Sequence, residues 1–300
     1  MFGFKNHMSP DDHYSDLKRI IAAAGGKAKS ITVVMPSLYG GRQHRRNARE
    51  SLDCAQMLQE LVSMGVSEII TFDAHDPRVQ NAVPLMGFDN FLPTYQILKA
   101  MLRSYPDLDM TKERFMIVSP DEGAMSRNIY YASVLGTDLG MFYKRRDYAN
   151  VVNGRNPIVA HEYIGNDVRG KDIFVADDII ATGDSMLKLC VELKERGCGK
   201  IFLSATYALF TEGVQKFEDA YNQGLFTAVL STNLTYCPQE LLEKKWFIQA
   251  DMSKFVAYII SACDQNKSLS ELLDPHDKIH ELIEKFNSTK PEQLTLDIDE

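Results

Sequence analysis

The sequence predicts an α/β protein with mainly parallel sheets. Three observations point there. Short, fully apolar, β-branched runs alternate with helical periodicity. Most of those runs end in an acidic or small polar residue. The 300 residues are 45% apolar, enough to cover a buried sheet on both faces.

The elements follow in order. Ser9-Pro10-Asp11-Asp12 starts a helix: a Ser cap, Pro at the first helical position, acids in the first turn. Leu17, Ile20, Ile21 and Ala24 keep helical spacing, and Gly25-Gly26 stops it. ITVVMP (Ile31 to Pro36) reads as a strand. A helix spans Glu50 to Met64, with Leu52, Ala55, Leu58, Leu61 and Val62 on one face and Gly65 at its end. SEIITF (Ser67 to Phe72), FMIVS (Phe115 to Ser119) and DIFVA (Asp172 to Ala176) read as buried strands. Ser185 to Arg196 is helical, and IFLSAT (Ile201 to Thr206) and FTAVLS (Phe226 to Ser231) are two more strands. The stretch from Arg145 to Gly170 is rich in Asn, Gly and charge and reads as a long loop, a lid in a compact domain.

Composition removes several function classes. The formal net charge of −8 argues against a cationic nucleic-acid or membrane surface. No apolar run is long enough to span a bilayer, and the first residues lack a secretion pattern. Five cysteines, Cys54, Cys190, Cys198, Cys237 and Cys263, form no CxxC pair. They read as reduced thiols of a cytoplasmic protein.

In such sheets ligands sit beyond the carboxyl ends of the strands. Asp73 and His75 follow one strand, Asp121 a second, Asp177 and Asp178 a third. The last case continues as Ile179-Ile180-Ala181-Thr182-Gly183-Asp184-Ser185. A small-residue turn at a helix N-terminus points N–H groups at an anion. Thr182 and Ser185 add hydroxyls, and Gly183 permits a backbone that a side chain would resist. Two acids just before the turn suit vicinal hydroxyls. Phosphate at one end and a diol at the other describe a pentose 5-phosphate.

That stretch resembles the phosphoribosyl-diphosphate (PRPP) loop of type I phosphoribosyltransferases. SLYGGRQHRRNARESL (Ser37 to Leu52), IITFDAHDPRVQ (Ile69 to Gln80), VSPDEGAMSR (Val118 to Arg127) and YKRRDYAN (Tyr143 to Asn150) occur in this order. Together they resemble the ribose-phosphate diphosphokinase family, from about residue 10 to about residue 265. The resemblance implies two phosphoribosyltransferase-like domains, the N-terminal one incomplete. Residues 1–110 would carry the ATP and metal side, 111–265 the ribose 5-phosphate side, and 266–300 a C-terminal helix and acidic tail. It implies transfer of the diphosphoryl group of ATP to ribose 5-phosphate, with Mg2+ as cofactor.

Residue roles follow by position. Arg42 and Gln43 match the ATP-contacting pair. His75, Asp121 and Asp73 match the magnesium site. Lys144 and Arg146 match the basic pair of the catalytic loop, which would neutralise charge on the transferring group. Asp177, Asp178, Ala181, Thr182, Gly183, Asp184 and Ser185 match the ribose 5-phosphate loop. Two positions depart from the family's wording: Ala181 replaces an Asp, and Asp184 replaces a Gly. Asp184 would repel phosphate unless its side chain turns away. Relative to the family the chain begins a quarter to a third of the way in, which predicts an unpaired sheet edge and a homo-oligomer. Two other readings stay open: a phosphoribosyltransferase that consumes PRPP, and a catalytically silent nucleotide-binding subunit of a PRPP synthetase.

Overall fold

The computed structural model describes residues 8–46, 48–146 and 158–288; for the strand residues 144–146 and 158–161 it describes the backbone alone. The first elements are α1 (Pro10–Ala24), β1 (Thr32–Val34), α2 (Asp53–Ser63), β2 (Glu68–Phe72) and β3 (Gly87–Phe91). Helix α1 begins where its sequence places it. Ser9 Oγ accepts from the Asp12 amide at 3.1 Å, and the Asp12 carboxylate accepts from the Ser9 amide at 3.0 Å. The three strands form a parallel sheet in the order β1-β2-β3.

The chain then builds a second sheet. Its elements are α3 (Thr94–Ser104), β4 (Phe115–Ser119), α4 (Met125–Leu135), β5 (Asp138–Arg146), β6 (Ile158–Ile164) and β7 (Asp172–Ile180). They continue with α5 (Asp184–Glu195), β8 (Ile201–Ala208), α6 (Gln215–Asn222), β9 (Ala228–Thr232), α7 (Gln239–Leu242) and β10 (Phe247–Ala250). The end is α8 (Ser253–Asp264), α9 (Ser270–Leu273) and α10 (His276–Ser288). Seven strands lie in the order β10-β9-β8-β7-β4-β5-β6. All pairs are parallel except β5 with β6. Strands β4 and β8 are buried along their whole length, which is why they read as unbroken apolar runs.

Two local expectations need correction. The stretch from Arg145 to Gly170 is not one long loop. Strand β5 runs to Arg146, and β6 returns antiparallel beside it at the sheet edge. An edge strand meets solvent and lacks the continuous apolar signal of a central one. Strand β7 runs on to Ile180, so Asp177 and Asp178 are strand residues rather than loop residues. Its register with β8 holds Asp177 opposite Ala205.

Two helices cross between the sheets. Helix α3 packs on the seven-stranded sheet, with Ile97, Leu98, Met101 and Leu102 against Phe115, Ile117 and Leu230. Helix α8 returns to the first sheet, where Ile259 and Phe255 meet Ile70, Phe72 and Phe91. The core of the large sheet includes an aromatic cluster of Phe210, Phe217, Phe226, Trp246 and Phe247. The five cysteines are unpaired.

Candidate functional site

The turn expected to hold phosphate spans Ala181, Thr182 and Gly183, between β7 and α5. Gly183 is left-handed, φ 84° and ψ −4°. A Cβ there would stand 2.3 Å from the Phe217 ring. Both the backbone and the packing beneath therefore require glycine. The turn is tied at its base, where the Leu209 and Thr211 amides donate to the Ile180 and Ala181 carbonyls at 2.8 and 3.0 Å. Asp184 does turn away. Its carboxylate accepts from Lys216 Nζ at 2.7 Å and from Thr182 Oγ1 at 3.0 Å. Those hydrogen bonds, Lys216 first, hold the Asp184 carboxyl below the usual carboxylate range.

The acid pair lies in β7, with Ile179 and Ile180 between it and the turn. Asp178 Oδ2 meets His75 Nδ1 at 2.9 Å. A carboxylate can only accept, so Nδ1 carries the proton and Nε2 is left for another partner. Asp177 Oδ1 accepts from the Asp178 amide at 2.9 Å and stands 3.6 Å from Arg127 Nη1. Burial and the neighbouring Asp178 charge push the Asp177 carboxyl up. Burial also works against Asp178, but the His75 hydrogen bond and the Arg127 guanidinium outweigh it and hold that carboxyl low. Two adjacent acids are thus shifted in opposite directions.

Asp73 is placed differently from its neighbour His75. It is 3% exposed and takes a positive φ of 45°. Arg127 Nε lies 2.8 and 2.9 Å from its two oxygens, and Thr206 donates to Oδ2. Its carboxylate thus binds Arg127 and Thr206, and the residue lines a small lobe together with His75 and Asp178. Asp121 follows β4, where its Oδ1 accepts from the Ala124 amide at 3.2 Å.

Arg42, His75, Asp121, Asp177, Asp178 and the 181–185 turn share one cleft of about 600 Å³, except that Asp184 faces Lys216. A smaller lobe of about 170 Å³ adjoins it and is lined by Gln43, Arg42 and His75. Lys144 and Arg146 sit on β5, paired with residues of β6; their side chains lie outside the described residues. Among the described residues no three His, Cys, Asp or Glu converge as a metal cluster. His75 and Asp121 as two protein donors suit a hard cation whose remaining ligands are phosphate and water.

Sequence reasoning missed Arg127, Arg45 and Tyr143, which also line the cleft. Arg127 had a signal: a lone cation in the first turn after a buried strand and its acidic loop. A second cavity, about 680 Å³ between α3, α8 and α10, contains none of the candidate residues.

Comparison with known proteins gives the family. Residues 89–260 match the phosphoribosyl transferase domain, and residues 2–65 the N-terminal domain of ribose phosphate pyrophosphokinase. The chain is similar to a ribose-phosphate pyrophosphokinase of Mycoplasma pneumoniae, 28% identical, with 92% of this chain and 81% of that protein covered. A second, from Shewanella oneidensis, is 30% identical, with 82% and 73% covered. A third, from Vibrio cholerae, is 30% identical, with 85% and 77% covered. The crystal structure of a phosphoribosylpyrophosphate synthetase from Mycobacterium smegmatis shares the fold at a TM-score of 0.72 and 21% identity, covering 85% of this chain and 79% of that one. On the extent of these matches, the chain belongs to the ribose-phosphate pyrophosphokinase family.

Proposed function

We propose that the chain transfers the β,γ-diphosphoryl group of ATP to the 1-hydroxyl of ribose 5-phosphate. The products are AMP and 5-phosphoribosyl 1-diphosphate. The new bond joins O1 of the sugar to the β-phosphorus; the bond broken joins the β-phosphorus to the oxygen that leaves with AMP, and the proton of the 1-hydroxyl passes to solvent. The observation that carries the reading is the single cleft that holds the 181–185 turn, the Asp177–Asp178 pair, His75 and Arg42.

Each residue has a part. The backbone of Ala181, Thr182, Gly183, Asp184 and Ser185 holds the 5-phosphate, with the Thr182 and Ser185 hydroxyls beside it. Asp177 and Asp178 take the vicinal hydroxyls. Arg42 and Gln43 bind ATP, Arg42 by pairing with phosphate oxygens. His75, through Nε2, and Asp121 hold Mg2+, while Asp73 holds Arg127. The ion, when bound, withdraws charge from phosphate oxygens. Lys144 and Arg146 meet the charge that develops on the transferring group.

In this reading residues 1–110 supply the ATP and metal side, 111–265 the ribose side, and 266–300 the C-terminal helix and acidic tail; α3 and α8 are exchanged between the two sheets. The protein works in the cytoplasm as a homo-oligomer. No described helix is long and apolar enough to cross a membrane. Strand β1 has no neighbour on its outer side among the described residues, an edge that a second copy would cover. The test is AMP formation. With ATP and Mg2+, AMP should appear only when ribose 5-phosphate is added; ADP as the nucleotide product, or no turnover, contradicts the proposal.

A further inference from the structure

We propose that Arg127 is a positioning residue that couples the His75 segment to the ribose-binding acids. This rests on the reading of Asp177 and Asp178 given above.

Arg127 enters from the first turn of α4 and is 11% exposed at its side chain. One side of its guanidinium grips Asp73 in a fork. Nε reaches both carboxylate oxygens, and Nη2 reaches Oδ1 at 2.8 Å. The other side, Nη1, faces Asp177 Oδ1 at 3.6 Å. The two acids belong to different sheets. Asp73 caps β2 of the small sheet, and Asp177 lies in β7 of the large one. One guanidinium therefore spans the seam along which the cleft opens.

The Asp73 end is firmly held. Thr206, near the end of β8, donates to its carboxylate. The hydroxyl of the next residue, Tyr207, lies between the Phe72 carbonyl, at 2.6 Å, and the Pro36 carbonyl, and its one proton serves that pair. The Asp73 amide donates to the Phe91 carbonyl at 2.8 Å. These contacts keep Asp73 in the left-handed region, a conformation that persists only when its surroundings over-determine it. That bend aims the following Ala74-His75 at Asp178. The same guanidinium thus fixes the root of His75 and the orientation of Asp177.

Charge gives Arg127 a second task. Asp73, Asp177 and Asp178 crowd together, and all three interact with this one cation. Without it, three carboxylates face one another in a site of low solvent access, and the pair would reorient. Lysine cannot substitute. A single ammonium can sit on Asp73 or approach Asp177, but it lacks the planar fork that does both.

The test is ribose 5-phosphate binding to the full chain by calorimetry, with AMP binding measured in parallel. Arg127→Lys should weaken ribose 5-phosphate by about tenfold or more, the scale of a lost charged hydrogen bond. Asp73→Asn should do the same, although it is assigned no contact with sugar. The double variant should bind no worse than the weaker single variant, because one link is cut twice. AMP affinity should stay within about threefold, on the same scale. A residue with only a structural role would lower the melting temperature without this selectivity. Unchanged ribose 5-phosphate affinity in folded Asp73→Asn overturns the proposal. Should Asp73→Asn fail to fold, Thr206→Val loosens Asp73 while its ion pair remains. An affinity loss of about threefold is then expected, and none overturns the proposal. A wild-type chain that binds no ribose 5-phosphate overturns the ribose assignment itself, and this inference with it.

Discussion

His75 and Asp178 are 103 residues apart in the chain and meet at 2.9 Å, Nδ1 to Oδ2. One follows the small sheet and the other lies in the large sheet. An acid of the ribose pair thus orients the imidazole assigned to the metal. Orientation by a carboxylate is a common way to fix the tautomer and raise the basicity of a ligating histidine. His75→Ala and Asp121→Ala should each raise the Mg2+ concentration needed for turnover. Asp178→Asn should raise it too, by about tenfold, through the lost charge beside His75, and should also weaken ribose 5-phosphate, whose hydroxyls it is assigned. A Mg2+ titration of turnover in the three variants checks this. Wild-type Mg2+ dependence in His75→Ala would make the residue structural.

Gly183 carries the turn. Gly183→Val should weaken ribose 5-phosphate binding by more than about tenfold, because a β-branched residue resists φ 84° and its Cβ meets Phe217. Gly183→Ala with Phe217→Leu relieves the contact but not the backbone. It should recover stability in part and binding little. Calorimetry on folded variants separates the two; full binding in Gly183→Val removes the assignment.

Asp184 should be harmless while Lys216 is present. Lys216→Ala frees its carboxylate beside the turn and should weaken ribose 5-phosphate. Asp184→Ala should bind as well as the parent or better, and the double variant should match it. Binding titrations decide: loss of affinity in Asp184→Ala would mean that the carboxylate helps the turn rather than threatens it.

In the proposed mechanism Lys144 meets charge that develops during transfer, so its effect belongs to kcat. Contacts of that kind are worth about 3–4 kcal/mol, or roughly 10²–10³ in rate. Lys144→Ala should lower kcat by that order and leave the KM for ribose 5-phosphate within a few-fold. A large rise in KM at constant kcat would make it a ground-state binding group.

What could be read beforehand follows from what is local. The α1 start needs only Ser9 and Asp12, three residues apart, and both are visible in sequence. Buried strands such as β4 and β8 are visible because every residue is apolar or small. The glycine turn is visible because one residue type solves one backbone problem. Strand β6 was hidden, since it lies at the sheet edge and its last residues, Glu162, Tyr163 and Ile164, are exposed or half-buried. The exchange of α3 and α8 was hidden as well. A helix's apolar stripe says that it packs, not which sheet receives it. The role of Asp73 was the hardest to see. Beside His75 in sequence it reads as a ligand; only the fold brings Arg127 and Thr206 to its oxygens. Asp184 is similar, because its partner Lys216 lies on another helix.

The central claim is diphosphoryl transfer, and the fate of the β-phosphorus tests it most directly. ATP labelled at the β-phosphate is incubated with the protein, Mg2+ and ribose 5-phosphate, and the products are separated. The account predicts that the label leaves the nucleotide and appears in a ribose product, with unlabelled AMP formed in equal amount. Label that stays in ADP, or in unreacted ATP, would contradict it.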